Sequence, residues 1–575
     1  MIRNGTVIDG TGGPARRAEV GIVGDKIVAV GTDLGPATRE IDAAGLLVTP
    51  GWVDMHTHYD AQITWDPYLT PSGWNGVTTV VMGNCGVGFA PVAPDQHDWL
   101  IELMEGVEDI PGAAMHEGIQ WEWESFPEYL DALSRREAVC DFATQVPHGA
   151  LRAYVMGDRS VGGVATDADI DAMTSAVAEG LRAGALGFST SRTPLHKSIH
   201  GELVPGTDAA ATELYSIAHA MKDVGFGVFQ GAIHHPDVPS QFGWMREVAA
   251  ITGGNVTFNF SQTDEAPQLW REVLDLLDQA HADGLDITGQ VAGRPIGILM
   301  SWDGTAHPFA TRPSWGQAAM ADPAARRALV ATPEFRAQLL AEQPVELSPF
   351  ITFITTSWHK MWPFTGDTSY EPDPTGTVAA IAEREGRDPA EVAYDHLCTE
   401  GGKGILYFPL FNYSDQTLDP LWQLHQHPRT RMGLADGGAH CASICDGSMP
   451  TFMASFWSRD RSRGANIALE HIVHRQTQQT AAHYGLLDRG VIAAGYRADI
   501  NVIDFAELGV EHPEMAWDLP TGAKRYVQRV RGYRATLCRG VLVADNGEFT
   551  GETPGRLVRG PQPAPAEQLA PVSVG

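Results

Sequence analysis

The stretch Gly51-Trp52-Val53-Asp54-Met55-His56-Thr57-His58 ends a short apolar run with two histidines at i and i+2. In an extended strand that spacing aims both imidazoles at one face. Neutral imidazole is a common ligand for a divalent ion, and two on one rigid strand form a pre-oriented pair. Taken alone, the spacing fits two ordinary histidines equally well. The surroundings favour the metal reading. Thr49-Pro50-Gly51 is a turn signal before the run and Asp60 follows it; a second apolar run, Val77–Met82, stops abruptly at Gly83-Asn84-Cys85-Gly86.

These motifs resemble the amidohydrolase superfamily, whose first barrel strand ends in His-x-His. The Gly-Asn-Cys-Gly turn after the second strand resembles its D-aminoacylase (N-acyl-D-amino-acid deacylase) branch. Asn4–Gly10, Gly184–Thr190, the region of Asp436 and Pro554-Gly555-Arg556 extend the likeness over most of the chain. The resemblance implies an α/β fold: a (β/α)8 TIM barrel, a composite β-sandwich and an inserted cap. It also implies zinc-dependent hydrolysis of an N-acyl-D-amino acid, and a metal-ligand role for Cys85, whose thiol coordination would deprotonate.

The elements that must position these residues are legible in outline. Residues 1–49 read as short strands divided by turns, and the same texture returns near the C-terminus; the two segments, 1–49 and 485–560, are expected to form one β-sandwich. Between them, over 50–484, apolar runs alternate with amphipathic intervals, the pattern of a parallel βα fold. Candidate barrel strands are about 52–57, 78–83, 142–147, 185–190, 226–231, 256–261, 286–291 and 431–436, and eight is the number a closed barrel requires. The span of about 292–430 fits no single βα unit and reads as an insertion covering the site. The Pro-rich tail, 561–575, is expected to be disordered.

In such a barrel the active site lies where the strands end. Asp436 closes the eighth apolar run before Gly437-Gly438, where it could both bind the ion and take a proton from water. The expected metal ligands are therefore His56, His58, Cys85 and Asp436, with Asp436 catalytic. Candidate substrate-binding residues are His148, Ser189, Arg192, Arg294 and His440: the histidines for an oxyanion, the guanidinium forks for a carboxylate.

Three departures from the D-aminoacylase pattern stand out. Gln230 and Ser261-Gln262 occupy the ends of strands five and six, where that branch carries histidines. The lysine after strand six is missing, and Met449-Pro450-Thr451-Phe452 fills much of the region of its carboxylate-binding arginine. Three or four good ligands, His56, His58, Asp436 and Cys85, suffice for one four-coordinate zinc with a water, not for two well-held ions. About one Zn2+ per chain is expected; a second is left open should His234 or His235 fold back into the site. Two other readings stay open: a cyclic-amide hydrolase or deaminase on the same scaffold, and an inactive homologue that binds a small molecule.

Composition narrows the partners. A net charge of -31 argues against nucleic acid, whose phosphates would be repelled. Hydrophobic residues at 43% with 19% charged are those of a globular enzyme, and no apolar run is long enough for a membrane span. Six scattered cysteines without CxxC pairs and the lack of a signal peptide suggest a cytoplasmic protein with reduced thiols. A small-molecule substrate is expected, and a homo-oligomer is left open.

Overall fold

The computed structural model describes residues 1–366 and 369–566. At its centre are eight parallel strands: β1 (Trp52–Asp54), β2 (Val77–Met82), β3 (Asp141–Thr144, continuing as Val146–Pro147), β4 (Gly187–Arg192), β5 (Val228–Ile233), β6 (Val256–Asn259), β7 (Ile287–Val291) and β8 (Thr430–Met432). Each pairs in parallel with the next. The ring closes between β8 and β1, where Thr57 bridges Gly437, His58 N donates to Gly437 O at 2.8 Å and Asp436 N donates to His56 O at 3.1 Å. The expected (β/α)8 barrel is present, and all eight strands overlap the apolar runs read from the sequence.

Local chemistry explains the elements. β2 is the run Val-Thr-Thr-Val-Val-Met, buried at every position, as a parallel strand covered on both faces must be. The helix Asp167–Ala183 begins with a reciprocal capping box between Thr166 and Asp169. Helix α1 (His97–Glu108) buries Leu100, Ile101, Leu103, Met104 and Val107 on one face and ends as Asp109 turns left-handed at φ 50°.

Strands from both chain ends share one sheet. Leu47–Pro50 pairs antiparallel with Ile500–Ile503, joining the N-terminal strands Ile2–Val7, Arg16–Val23 and Lys26–Gly31 to the C-terminal Tyr533–Cys538 and Val541–Asp545. By its pairing this β-domain, expected from the two chain ends, is one continuous nine-stranded sheet with register shifts along it. Ile2, Val7, Val20, Ile27, Val48, Ile500, Val502 and Leu537 form its core.

The segment between β7 and β8 leaves the barrel at the C-terminal end of β7. It builds its own three-stranded sheet, Gly297–Met300, Ile405–Pro409 and Trp362–Phe364, over a separate core around Trp302, Phe309, Trp315 and Tyr394. It then packs back on the loop after β8, where Leu299 N donates to Ser443 O at 2.7 Å. The start of the tail is ordered rather than loose: Gln562 bridges Leu486, its N donating to Gly485 O at 2.9 Å. Two backbone hydrogen bonds hold what composition alone reads as disordered; the expectation for 567–575 lies outside the described residues. No described helix is long and apolar enough to cross a membrane.

Candidate metal centre

The strand ends converge as the spacing of the motifs requires. A nitrogen of His56, a nitrogen of His58 and Cys85 Sγ all lie within 4.8 Å of one another, and all three residues are buried. His56 Nε2 is 3.2 Å from Cys85 Sγ. Asp436 Oδ1 lies 3.4 Å from His56 Nε2 and 3.7 Å from His58 Nε2. Two ligands about 2.1 Å from a tetrahedral ion are separated by roughly 3.4 Å, so these spacings match the edges of a coordination polyhedron.

The backbone is bent to achieve this. Cys85, Leu434, Asp436 and His440 all have φ between 48° and 58°, a region non-glycine residues rarely occupy. Such strain persists only where neighbours impose it, and it gathers at functional sites. Gly86 shows how tight the loop is: a Cβ there would meet Ser191 N at 2.5 Å.

Polar side chains from other strands hold the ligands. His56 Nδ1 donates to Gln290 Oε1 at 2.6 Å. Cys85 N donates to Gln230 Oε1 at 2.8 Å, and Gly86 N to Ser189 Oγ at 2.9 Å. The residues standing where strand-five histidine was expected, and the serine read as substrate-binding, thus clamp the Cys85 loop. Gln262 is likewise engaged, receiving from Ser414 N and donating to Asp415 and to Pro267 O.

Three expected substrate contacts are placed elsewhere. Both nitrogens of His148 are taken, Nδ1 by Thr190 Oγ1 at 2.8 Å and Nε2 by Glu213 Oε1 at 2.7 Å, so no N–H remains for an oxyanion. Arg192 donates to the carbonyls of Ala209 and Gly206. Arg294 is fully buried, paired with Asp446 at 3.0 Å, bonded to Gln528 and Cys445 O, and stacked on Tyr370 at 3.9 Å. Sequence could place these guanidinium groups near strand ends but could not reveal which carbonyls and carboxylates they meet in the fold. His440, with 27% of its side chain exposed, does reach the site wall.

Other groups were missed. Glu108, from the end of α1, lies 3.4 Å from His58 Nδ1. His196, in the loop after β4, bonds Ser191 Oγ through Nδ1 at 3.0 Å and lies near His440, His56 and His235. No motif marks either residue, because both come from segments that fold over the strand ends.

The surroundings of the cluster are rich in buried carboxyl groups. Burial pushes Asp54 up to about 7, Asp60 to about 7 and Asp436 to about 6, His440 opposing the last; Glu108 is pushed up by burial and by Asp436. Among the described residues no Lys or Arg pairs with Asp436 or Glu108; only histidines do. Burial holds His56 down at about 4, so its imidazole is neutral. Burial raises the Cys85 thiol, with Glu108 and Asp436 adding to it. Neutral imidazoles, a thiol and uncompensated carboxylates are the donor set of a cation site.

The amidohydrolase family model matches residues 39–544. The chain is 29% identical to the D-aminoacylase of Alcaligenes xylosoxydans xylosoxydans, covering 97% of each chain, and 28% identical to the N-acyl-D-aspartate deacylase of that organism, covering 97% of this chain and 94% of the other. A crystal structure of D-aminoacylase matches with a TM-score of 0.62 at 24% identity, over 97% of this chain and 99% of that one. The N-acyl-D-glutamate deacylase from Bordetella bronchiseptica, complexed with zinc and a phosphonate inhibitor, matches with a TM-score of 0.62 at 23% identity, over 97% and 98%. At that identity the structural likeness speaks for the fold. With a family match running from the N-terminal sheet through the barrel to the C-terminal strands, the chain belongs to the amidohydrolase family.

Proposed function

We propose that the protein is a metal-dependent amide hydrolase that deacylates N-acyl-D-amino acids to a carboxylate and a free D-amino acid. One observation carries the reading: His56, His58 and Cys85 present ligand atoms within 4.8 Å of one another, with Asp436 Oδ1 3.4 Å from His56 Nε2 and 3.7 Å from His58 Nε2. The relatives named D-aminoacylase and N-acyl-D-aspartate deacylase, similar over nearly their whole length, support the substrate class.

His56, His58, Cys85 and Asp436 would hold one zinc ion, whose charge would polarise the scissile carbonyl and acidify the attacking water. Asp436 takes the water proton on its carboxylate and returns it to the leaving nitrogen, general-base and then general-acid work at one group. His440, on the site wall, is placed to donate to the developing oxyanion. Gln290 and Gln230 keep His56 and Cys85 in place, so little reorganisation accompanies the reaction.

The test is elemental analysis of the purified protein, followed by hydrolysis assays on matched N-acyl-D- and N-acyl-L-amino acids and a five- or six-membered cyclic amide. Zinc with D-selective deacylation is expected. Zinc-loaded protein that opens the ring compound and spares the acyl amino acids would move the assignment to the cyclic-amide reading.

A further inference from the structure

We propose that Glu108 is a positioning residue for the metal face, orienting His58 through Nδ1 and holding His440 through Nε2; this rests on the zinc reading above. Glu108 is 2% exposed and sits on the last turn of α1. The C-terminus of a helix is the wrong end for a carboxylate, since the helix dipole is negative there. Burial adds a second cost to the charged form. A carboxylate kept in so unfavourable a place is retained for what it faces.

It faces two histidines. Glu108 Oε1 lies 3.4 Å from His58 Nδ1 and Oε2 lies 3.7 Å from His440 Nε2. The Glu108 carbonyl accepts from His440 N, tying the loop after β8 to the end of α1. Among the described residues these two histidines are its only ion-pair partners. A second observation points the same way: His58 Nδ1 is buried without a hydrogen-bond partner. At 3.4 Å the carboxylate is the nearest charged acceptor, and a small rotation brings it within the usual 2.7–3.2 Å range.

The chemistry follows. A ligating imidazole is fixed in ring orientation and tautomer by the acceptor on its other nitrogen, and a carboxylate acceptor also makes it a stronger donor. Gln290 does this for His56 with a neutral amide. Glu108 does it for His58 with a carboxyl oxygen, leaving Nε2 free toward Asp436. The other oxygen of the same carboxylate steadies His440, so α1 couples the ligand to the site wall.

Glu108→Gln and Glu108→Met, the second a filler of similar length without polar atoms, test the idea through zinc affinity by chelator competition, thermal unfolding and steady-state kinetics. Zinc affinity 10- to 100-fold weaker in both is expected, with Tm unchanged or raised and kcat falling more than KM rises. Wild-type zinc affinity, within twofold, in either folded variant would overturn the proposal. So would a wild type holding two zinc ions of which Glu108→Gln loses one entirely, because Glu108 would then be a ligand itself. A wild type that binds zinc but hydrolyses no acyl amino acid would end the deacylase reading and leave the affinity comparison to decide Glu108 separately; a wild type that binds no zinc would end both.

Discussion

The 2.6 Å hydrogen bond from His56 Nδ1 to Gln290 Oε1 joins the first barrel strand to the seventh and decides which nitrogen of His56 faces the site. With Nδ1 carrying the proton, Nε2 keeps its lone pair toward Cys85 and Asp436. Gln290→Leu should leave the barrel folded but let the ring turn. Zinc affinity measured by chelator competition is expected to fall 10- to 100-fold, with activity recoverable at high zinc.

Loss of a ligand should differ from loss of the base. His56→Ala and His58→Ala are expected to abolish both bound zinc and activity. Asp436→Asn should keep a substantial share of the zinc while kcat falls at least 100-fold, the usual scale for removing a general base. Elemental analysis beside kinetics on each variant checks this, and full activity in His58→Ala would sink the site assignment.

Metal number has its own test. Strand-five Gln230 is committed to the Cys85 amide, and Gln262 to the 412–415 segment, so neither supplies the imidazole a second ion prefers. One zinc per chain is expected, unchanged in His235→Ala. Two tightly held ions, falling to one in that variant, would place His235 in a second site.

Arg294 should behave as a structural residue. Arg294→Lys removes the fork that serves Asp446, Gln528 and Cys445 O together, and a single ammonium cannot replace it. A loss of about 2–4 kcal/mol in unfolding free energy is expected, with KM unchanged in the folded fraction. A raised KM with unchanged Tm would return Arg294 to substrate recognition.

Asp60 gives a pH-dependent outcome. Burial lifts its folded-state carboxyl to about 7, opposed by the bond from Gly83 N, whereas an unfolded aspartate titrates near 3.9. The folded state therefore binds the proton more tightly, and this group's contribution falls as pH rises from about 4 to about 7. Asp60→Asn removes that dependence. In metal-free protein its Tm should exceed the wild type's at pH 8 and approach it at pH 5; equal Tm differences at both values would refute the assignment.

The eight barrel strands, the placement of His56 and His58 on one face, and the turn positions of Cys85 and Asp436 were legible because their signals are local. A strand of β-branched residues ending at a turn says where a side chain stops, and an i, i+2 spacing says which face it takes. Tertiary structure alone decided which donors remained free. His148, Arg192 and Arg294 stand near the strand ends as expected, yet Glu213, two loop carbonyls and Asp446 had already claimed them. Those partners lie from 14 to 152 residues away in sequence, beyond any periodicity. The same holds for Gln230, Gln290, Glu108 and His196. An amide or a buried carboxylate acquires its role from the nitrogen it happens to meet, and that meeting exists only once the barrel has closed.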